Sequence, residues 1–142
     1  MRTLHFSLCV ADLDRSLAFY TAVGYQVVGS VPDTELGELT MLKLPGDESV
    51  TIELVHDSRK DARATHGAPS HFVLQVGSID ATMHALSTRG IAVEVPTSPN
   101  GSTDFLTTWI VDPEGNRIEL VQWPTGHADG MSSADFKTPE LT

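Results

Sequence analysis

Four side chains with metal-ligand chemistry fall into two pairs along this sequence. Glu53 and Glu119 lie 66 residues apart, and each belongs to an Ile-Glu-Leu-Val segment. His5 and His71 are separated by the same 66 residues. One shift along the chain therefore relates two imidazoles and two carboxylates, a ligand set that suits a divalent metal ion.

A site built from these four side chains would have open coordination positions. A six-coordinate ion would keep two positions for water or substrate, and no thiolate belongs to the set, which disfavours a closed structural zinc site. The ligands suit Zn, Ni, Co or Mn, and affinity order alone does not choose among them. The predicted metal ligands are His5, Glu53, His71 and Glu119. The histidines without a partner under the shift are interpreted as surface residues: His56, His66, His84 and His127.

The first part of the chain has the pattern of a β-α-β-β-β unit. Residues 3–10 alternate in polarity, as a strand with one buried face does. Asp12 can cap a helix that Gly24 would end. Further strands are predicted at about 25–31, 38–44 and 49–56.

The same pattern restarts at His71. Ser78 can cap a second helix, Gly90 would end it, and strands are predicted at about 91–95, 105–111 and 116–122. No gap is needed when residues from His5 to Val55 are compared with those 66 positions later. The predicted fold is α+β, with two tandem βαβββ modules forming curved mixed sheets around a metal-binding cleft.

Side-chain direction separates the core from the ligands. The large apolar residues of the outer strands should share one face, packed under the helices: Phe6, Leu8, Ile52, Leu54, Phe72, Leu74, Ile118 and Leu120. The four candidate ligands lie on the opposite face, where the repulsion between converging carboxylates would either raise a pKa or demand a cation. Cys9 and Arg117 share that face. Cys9 could line the cleft, but it is interpreted first as a small apolar filler. Arg117 either attracts a ligand carboxylate or forms a surface salt bridge.

Length and composition indicate one domain with a short tail. Residues 1–123 are predicted to form it, with modules at 1–56 and 70–123, a connector at 57–69 and a tail at 124–142. The formal charge of −10 argues against nucleic acid or an anionic membrane as a partner. With one cysteine, no apolar run long enough to span a bilayer and no signal-peptide pattern, we expect a cytoplasmic protein.

Several segments resemble the vicinal oxygen chelate superfamily, which includes glyoxalases, bleomycin resistance proteins and dioxygenases. They are the Leu-His start, Asp-Leu-Asp-Arg-Ser from Asp12, and Asp-Pro-Glu-Gly-Asn-Arg-Ile-Glu-Leu from Asp112. Within the superfamily the chain is most similar to bacterial glyoxalase I enzymes (lactoylglutathione lyases). The resemblance implies His5, Glu53, His71 and Glu119 as ligands, nickel or cobalt in preference to zinc, and a homodimer whose sites can be shared between chains.

The resemblance also implies a reaction, the detoxification of methylglyoxal. A 2-oxoaldehyde and a thiol form a hemithioacetal, and a carbon–sulfur lyase converts it to a 2-hydroxyacyl thioester. Glu119 would move the proton from C1 to C2, with Glu53 as the alternative base. Cys9 and Asp57 stand where the resemblance implies an arginine and an asparagine that hold glutathione, so the thiol stays open. The alternatives are a metal-dependent epimerase or dioxygenase, or a metal-free resistance protein that sequesters a ligand.

Overall fold

The computed structural model describes residues 5–59, 71–128 and 130, and its elements follow the predicted α+β pattern. They are β1 (Phe6–Cys9), α1 (Leu13–Val23), β2 (Gln26–Thr34), β3 (Gly37–Lys43), β4 (Ile52–His56), β5 (His71–Gln75), α2 (Ile79–Thr88), β6 (Leu106–Val111) and β7 (Arg117–Gln122). Neither helix in this part of the chain is long and apolar enough to cross a membrane. Most of the predicted connector and tail, and His66, lie outside the described residues.

Both helices begin at the predicted caps. The side chain of Asp12 accepts a hydrogen bond from the Arg15 backbone N–H, and Ser78 accepts one from Ala81. Gly24 ends α1 with a φ of 126°, a conformation that side chains other than glycine rarely adopt. These local signals set both helix starts and the end of α1 as expected, whereas α2 ends at Thr88 with Arg89 as its C-cap, one residue before the predicted Gly90.

Each module contributes one mixed sheet. The strand order is β1-β4-β3-β2 in the first sheet and β5-β7-β6 in the second. β1 pairs with β4 in parallel, and β5 pairs with β7 in the same way. Ser7 lies opposite Glu53, and Val73 lies opposite Glu119, so the two parallel pairs share one register under the 66-residue shift.

The repeat was predicted to need no gap from His5 to Val55, and this is wrong where the β3–β4 hairpin is compared with the β6–β7 hairpin. Met41 pairs with Glu53, whereas Trp109 pairs with Glu119, so β3 and β6 are related by 68 residues rather than 66. The β3–β4 loop is therefore two residues longer than the β6–β7 loop. Different aspartates organise the two loops: Asp47 accepts from the Leu44 backbone N–H, and Asp112 accepts from those of Glu114 and Asn116.

The strand predicted at 91–95 is also wrong. This segment runs beside β6 without regular pairing: the Glu94 backbone N–H donates to Trp109, and the Thr108 hydroxyl donates to the Glu94 carbonyl. Thr97 then forms an isolated bridge with Thr107. Pro96 has no N–H to donate, and the Glu94 carbonyl accepts from a side chain; both features accompany the interrupted pairing with β6.

One core joins the two modules. The apolar faces of both sheets are buried in it, together with the inner faces of α1 and α2. The hydroxyl of fully buried Tyr20 on α1 donates to Asp112 Oδ2 in the other module at 2.7 Å. Burial, followed by the nearby Asp112 charge, raises the pKa of Tyr20. The opposite faces of the two sheets, which carry the candidate ligands, therefore point away from the shared core.

Phe6 is the least buried of the apolar residues predicted to face the core, with 42% of its surface exposed. Its ring packs against Phe72, with centroids 5.2 Å apart. This contact brings the first strands of the two modules together at the edges of their sheets.

Candidate metal centre

The first half-site, His5 with Glu53, lies on the outer face of the first sheet. His5 Nε2 is 3.6 Å from Glu53 Oε2. Glu53 is only 8% exposed, and the Ser7 hydroxyl donates to its Oε1 at 2.8 Å. Ser7 therefore fixes one carboxylate oxygen and leaves the other directed toward the imidazole.

The second half-site, His71 with Glu119, occupies the matching position on the second sheet. His71 lies two residues before Val73, the register partner of Glu119, as His5 lies two residues before Ser7. Val73 has no hydroxyl, and the Glu119 carboxylate accepts no hydrogen bond from the described part of the chain. The Trp109 ring packs edge-on against His71, with centroids 5.3 Å apart.

Each half-site presents two donors. Within residues 5–59, 71–128 and 130 there is no group of three or more His, Cys, Asp or Glu side chains that could hold a metal ion. The structure thus brings His5 to Glu53 without joining this pair to His71 and Glu119 in one cluster. The four-ligand site stays a prediction.

The donors of the first half-site fit a divalent metal ion. Adjacent ligands about 2.1 Å from a metal lie roughly 3 Å apart, and the 3.6 Å between His5 and Glu53 is close to that separation. The Ser7 hydrogen bond supplies the kind of outer contact that orients a carboxylate ligand. Nitrogen and oxygen donors on an outward-facing sheet leave room for further ligands.

The remaining candidates are not part of the His5–Glu53 pair, although Arg117 lies opposite His71 in the second sheet. Cys9 is a free, exposed thiol, so its interpretation as a small apolar filler is wrong. Both interpretations of Arg117 stay open, because it forms an ion pair with Glu94 at 3.1 Å while lying on the ligand face. Asp57 pairs with Arg59 at 2.8 Å.

The unpaired histidines have other surroundings. His56 Nδ1 lies 3.2 Å from the Val10 carbonyl, which leaves this ring partly buried rather than on the surface. His84 is exposed. His127 stacks on Trp123, with ring centroids 4.5 Å apart.

Sequence reasoning overlooked two neighbours of the half-sites. Ser7 shares the alternating face of His5, so a hydroxyl near Glu53 could have been found once β1 was paired with β4. Trp109 was harder to place, because its register depends on the two-residue difference between the hairpin loops.

The profile of the Glyoxalase/Bleomycin resistance protein/Dioxygenase superfamily matches residues 2–120, and the chain belongs to this superfamily. A probable lactoylglutathione lyase of Vibrio cholerae is 33% identical over 131 residues, covering 89% of this chain and 94% of the relative. The lactoylglutathione lyase of Haemophilus influenzae is 29% identical over 126 residues, covering 86% of this chain and 93% of the relative. These relatives favour a glyoxalase-like function.

Solved structures share the fold. A glyoxalase family protein from Enterococcus faecalis aligns with a TM-score of 0.69 at 21% identity, covering 85% of this chain and 97% of that one. TnmS3, an antibiotic binding protein from Streptomyces sp., aligns with a TM-score of 0.66 at 24% identity, covering 86% and 96%. Proteins with different functions share this fold, so the function of this chain has to be argued from the residues of its site.

Proposed function

We propose that this protein is a metal-dependent, glyoxalase I-like lyase that converts the hemithioacetal of a 2-oxoaldehyde, such as methylglyoxal, into a 2-hydroxyacyl thioester. The observation that carries the proposal is the His5–Glu53 pair, whose atoms lie 3.6 Å apart, together with the identical register of His71 and Glu119. The names of the relatives supply the reaction class.

The proposed site is completed by a second copy of the chain. Each outer face carries two of the four ligands, so the first half-site of one chain would meet the second half-site of its partner. Partly exposed valines share these faces, with 44–49% of their surface accessible: Val31, Val73 and Val111. Apolar surface beside a half-site is what a self-complementary interface would bury.

The proposed ligands are His5, Glu53, His71 and Glu119, around nickel or cobalt in preference to zinc or manganese. When bound, the metal would stabilise negative charge that develops on the two vicinal substrate oxygens. The protein holds the ligand side chains in place and supplies the base that moves the proton.

Glu119 is the proposed base. A carboxylate that accepts the C1 proton and returns it to C2 must change its contacts during the reaction. Ser7 tethers Glu53 with a 2.8 Å hydrogen bond, whereas Glu119 has no such tether in the described part of the chain. Glu53 therefore suits the role of a fixed ligand, and Glu119 suits proton transfer. The proton returns to the substrate, so the isomerisation needs no co-reactant.

Complementation between variant chains tests the shared site. We would inactivate one half-site with His5→Ala and Glu53→Ala, and the other with His71→Ala and Glu119→Ala. Each variant alone should be inactive. Random pairing of the two chains leaves one intact site in half of the dimers, so about a quarter of wild-type activity should return. A mixture that stays inactive although the chains are shown to pair would place the site within one chain.

Metal content and a panel of thiols test the reaction. The metal-loaded protein should form thioester from methylglyoxal and at least one thiol, detected by absorbance. If nickel- and cobalt-loaded protein gives no product with any thiol, the lyase proposal is wrong. A protein that retains no stoichiometric metal would instead match a ligand-sequestering relative.

A further inference from the structure

Arg117 lies two residues before the proposed base, Glu119, on the same strand and the same face. Arg117 and Glu119 are on the same face of β7, and successive same-face residues on a strand are about 6.6 Å apart. Among the described residues Arg117 is the only arginine on either ligand face: Arg15 lies on α1, Arg59 follows β4, and Arg89 caps α2. A local positive charge at this point is notable in a chain of formal charge −10.

Two neighbours hold this guanidinium in one orientation. Its Cζ atom lies 4.1 Å from the centroid of the Trp109 ring, within the range of a cation–π contact. One nitrogen, Nη2, donates to Glu94 at 3.1 Å and 3.4 Å. A stacked and tethered guanidinium loses little freedom when a further acceptor binds.

The orientation leaves donors available. Glu94 engages only Nη2, and the Nε and Nη1 groups of Arg117 have no acceptor within the described part of the chain. A planar fork with unused N–H groups matches a carboxylate or phosphate. Trp109 also packs against His71, so the same ring connects the guanidinium to a proposed metal ligand.

From this arrangement we propose that Arg117, held by Trp109 and Glu94, is a specificity-determining residue that binds an anionic group a few bonds from the two chelating oxygens of the substrate. The proposal rests on the proposed metal site. It names the substrate class: a hemithioacetal that bears a carboxylate or phosphate. Either the thiol half or the aldehyde half could carry that group.

A binding experiment tests this without turnover. Succinic monohydroxamate offers two vicinal oxygens for a metal and a carboxylate at the other end of a short chain. Its amide counterpart has the same chain length and one acceptor oxygen but no negative charge. Calorimetry on the full-length metal-loaded protein should give about tenfold tighter binding of the carboxylate probe, because a partly exposed charge-assisted hydrogen bond is lost with the amide.

Variants assign the preference to Arg117. Arg117→Gln should reduce the tenfold ratio of the affinities for the carboxylate and amide probes to about one. Arg117→Lys should leave a ratio of about three, since lysine keeps the charge but loses the paired N–H donors and the stacking on Trp109. Arg89→Gln removes a positive charge from the end of α2 and should keep the full ratio. The proposal is overturned if the carboxylate probe shows no binding, if both probes bind equally to the wild type, or if Arg117→Gln keeps the preference.

Turnover with matched substrates shows whether the thiol half or the aldehyde half of the hemithioacetal carries the anionic group. Methylglyoxal with 3-mercaptopropionate or its amide places the charge on the thiol half. In the other arm, 2-mercaptoethanol with 4,5-dioxopentanoate or its amide places it on the aldehyde half. An Arg117-dependent preference in either arm supports the proposal. Efficient turnover with no charge preference in both arms would overturn it while leaving the proposed lyase function intact.

Discussion

The two half-sites share a backbone register but differ in the contacts of their glutamates. Glu53 is 8% exposed and accepts a hydrogen bond from Ser7, which lies directly across the parallel pair. Glu119 is more exposed, and Val73 stands where Ser7 would be. The internal repeat thus sets the position of a candidate ligand, whereas its nearest neighbours set how firmly the side chain is held.

The largest effect is expected from Glu119→Gln. Glutamine keeps an oxygen donor but cannot accept the proton, so kcat of the metal-loaded protein should fall by about 10²- to 10⁴-fold. The midpoint of thermal unfolding of the apo protein should change little, because the Glu119 side chain makes no hydrogen bond with a described residue. The matched variant Glu53→Gln should mainly weaken metal binding. Full activity of Glu119→Gln would assign the base to Glu53 or to another group.

Ser7→Ala should weaken metal binding by about tenfold, the lower end of what the loss of a contact to a metal ligand costs. The hydroxyl that orients Glu53 disappears, whereas His5 and the carboxylate remain. Titration of the apo protein with nickel would measure the change. Val73→Ala, the equivalent change in the other half-site, removes no hydrogen bond and serves as the control. Equal affinities for the two variants would show that the Ser7 contact does not organise the site.

The sequence predicted the faces of the strands better than their pairing. Alternation identified Ile52 and Ile118 as core residues, and both are fully buried. Periodicity does not reveal which side chain occupies a backbone acceptor, so the Thr108 hydroxyl bond to the Glu94 carbonyl was not foreseen. That bond accompanies the loss of the predicted strand at 91–95.

The same limit applies between the modules. Tyr20 lies within the helix predicted between Asp12 and Gly24, and it is fully buried. Its hydroxyl bond to Asp112 depends on a residue 92 positions away, which alternation cannot indicate. The proposed four-ligand site is harder still to predict, since each outer face carries two of the candidate ligands. Under the proposal the two pairs would meet only in a dimer, and alternation along a strand carries no information about which surfaces of two chains pair.

The smallest effect, and the most direct check of the comparison, is expected from Val73→Ser. The new hydroxyl would lie across from Glu119 as Ser7 lies across from Glu53. A hydrogen bond that contributes about 1 kcal/mol would restrain Glu119 in its ligand position, so kcat should fall by about fivefold. Metal affinity should stay equal or rise slightly. Val73→Ala controls for the lost methyl groups, and equal kcat values for the serine and alanine variants would contradict the idea that a tether separates the fixed ligand from the base.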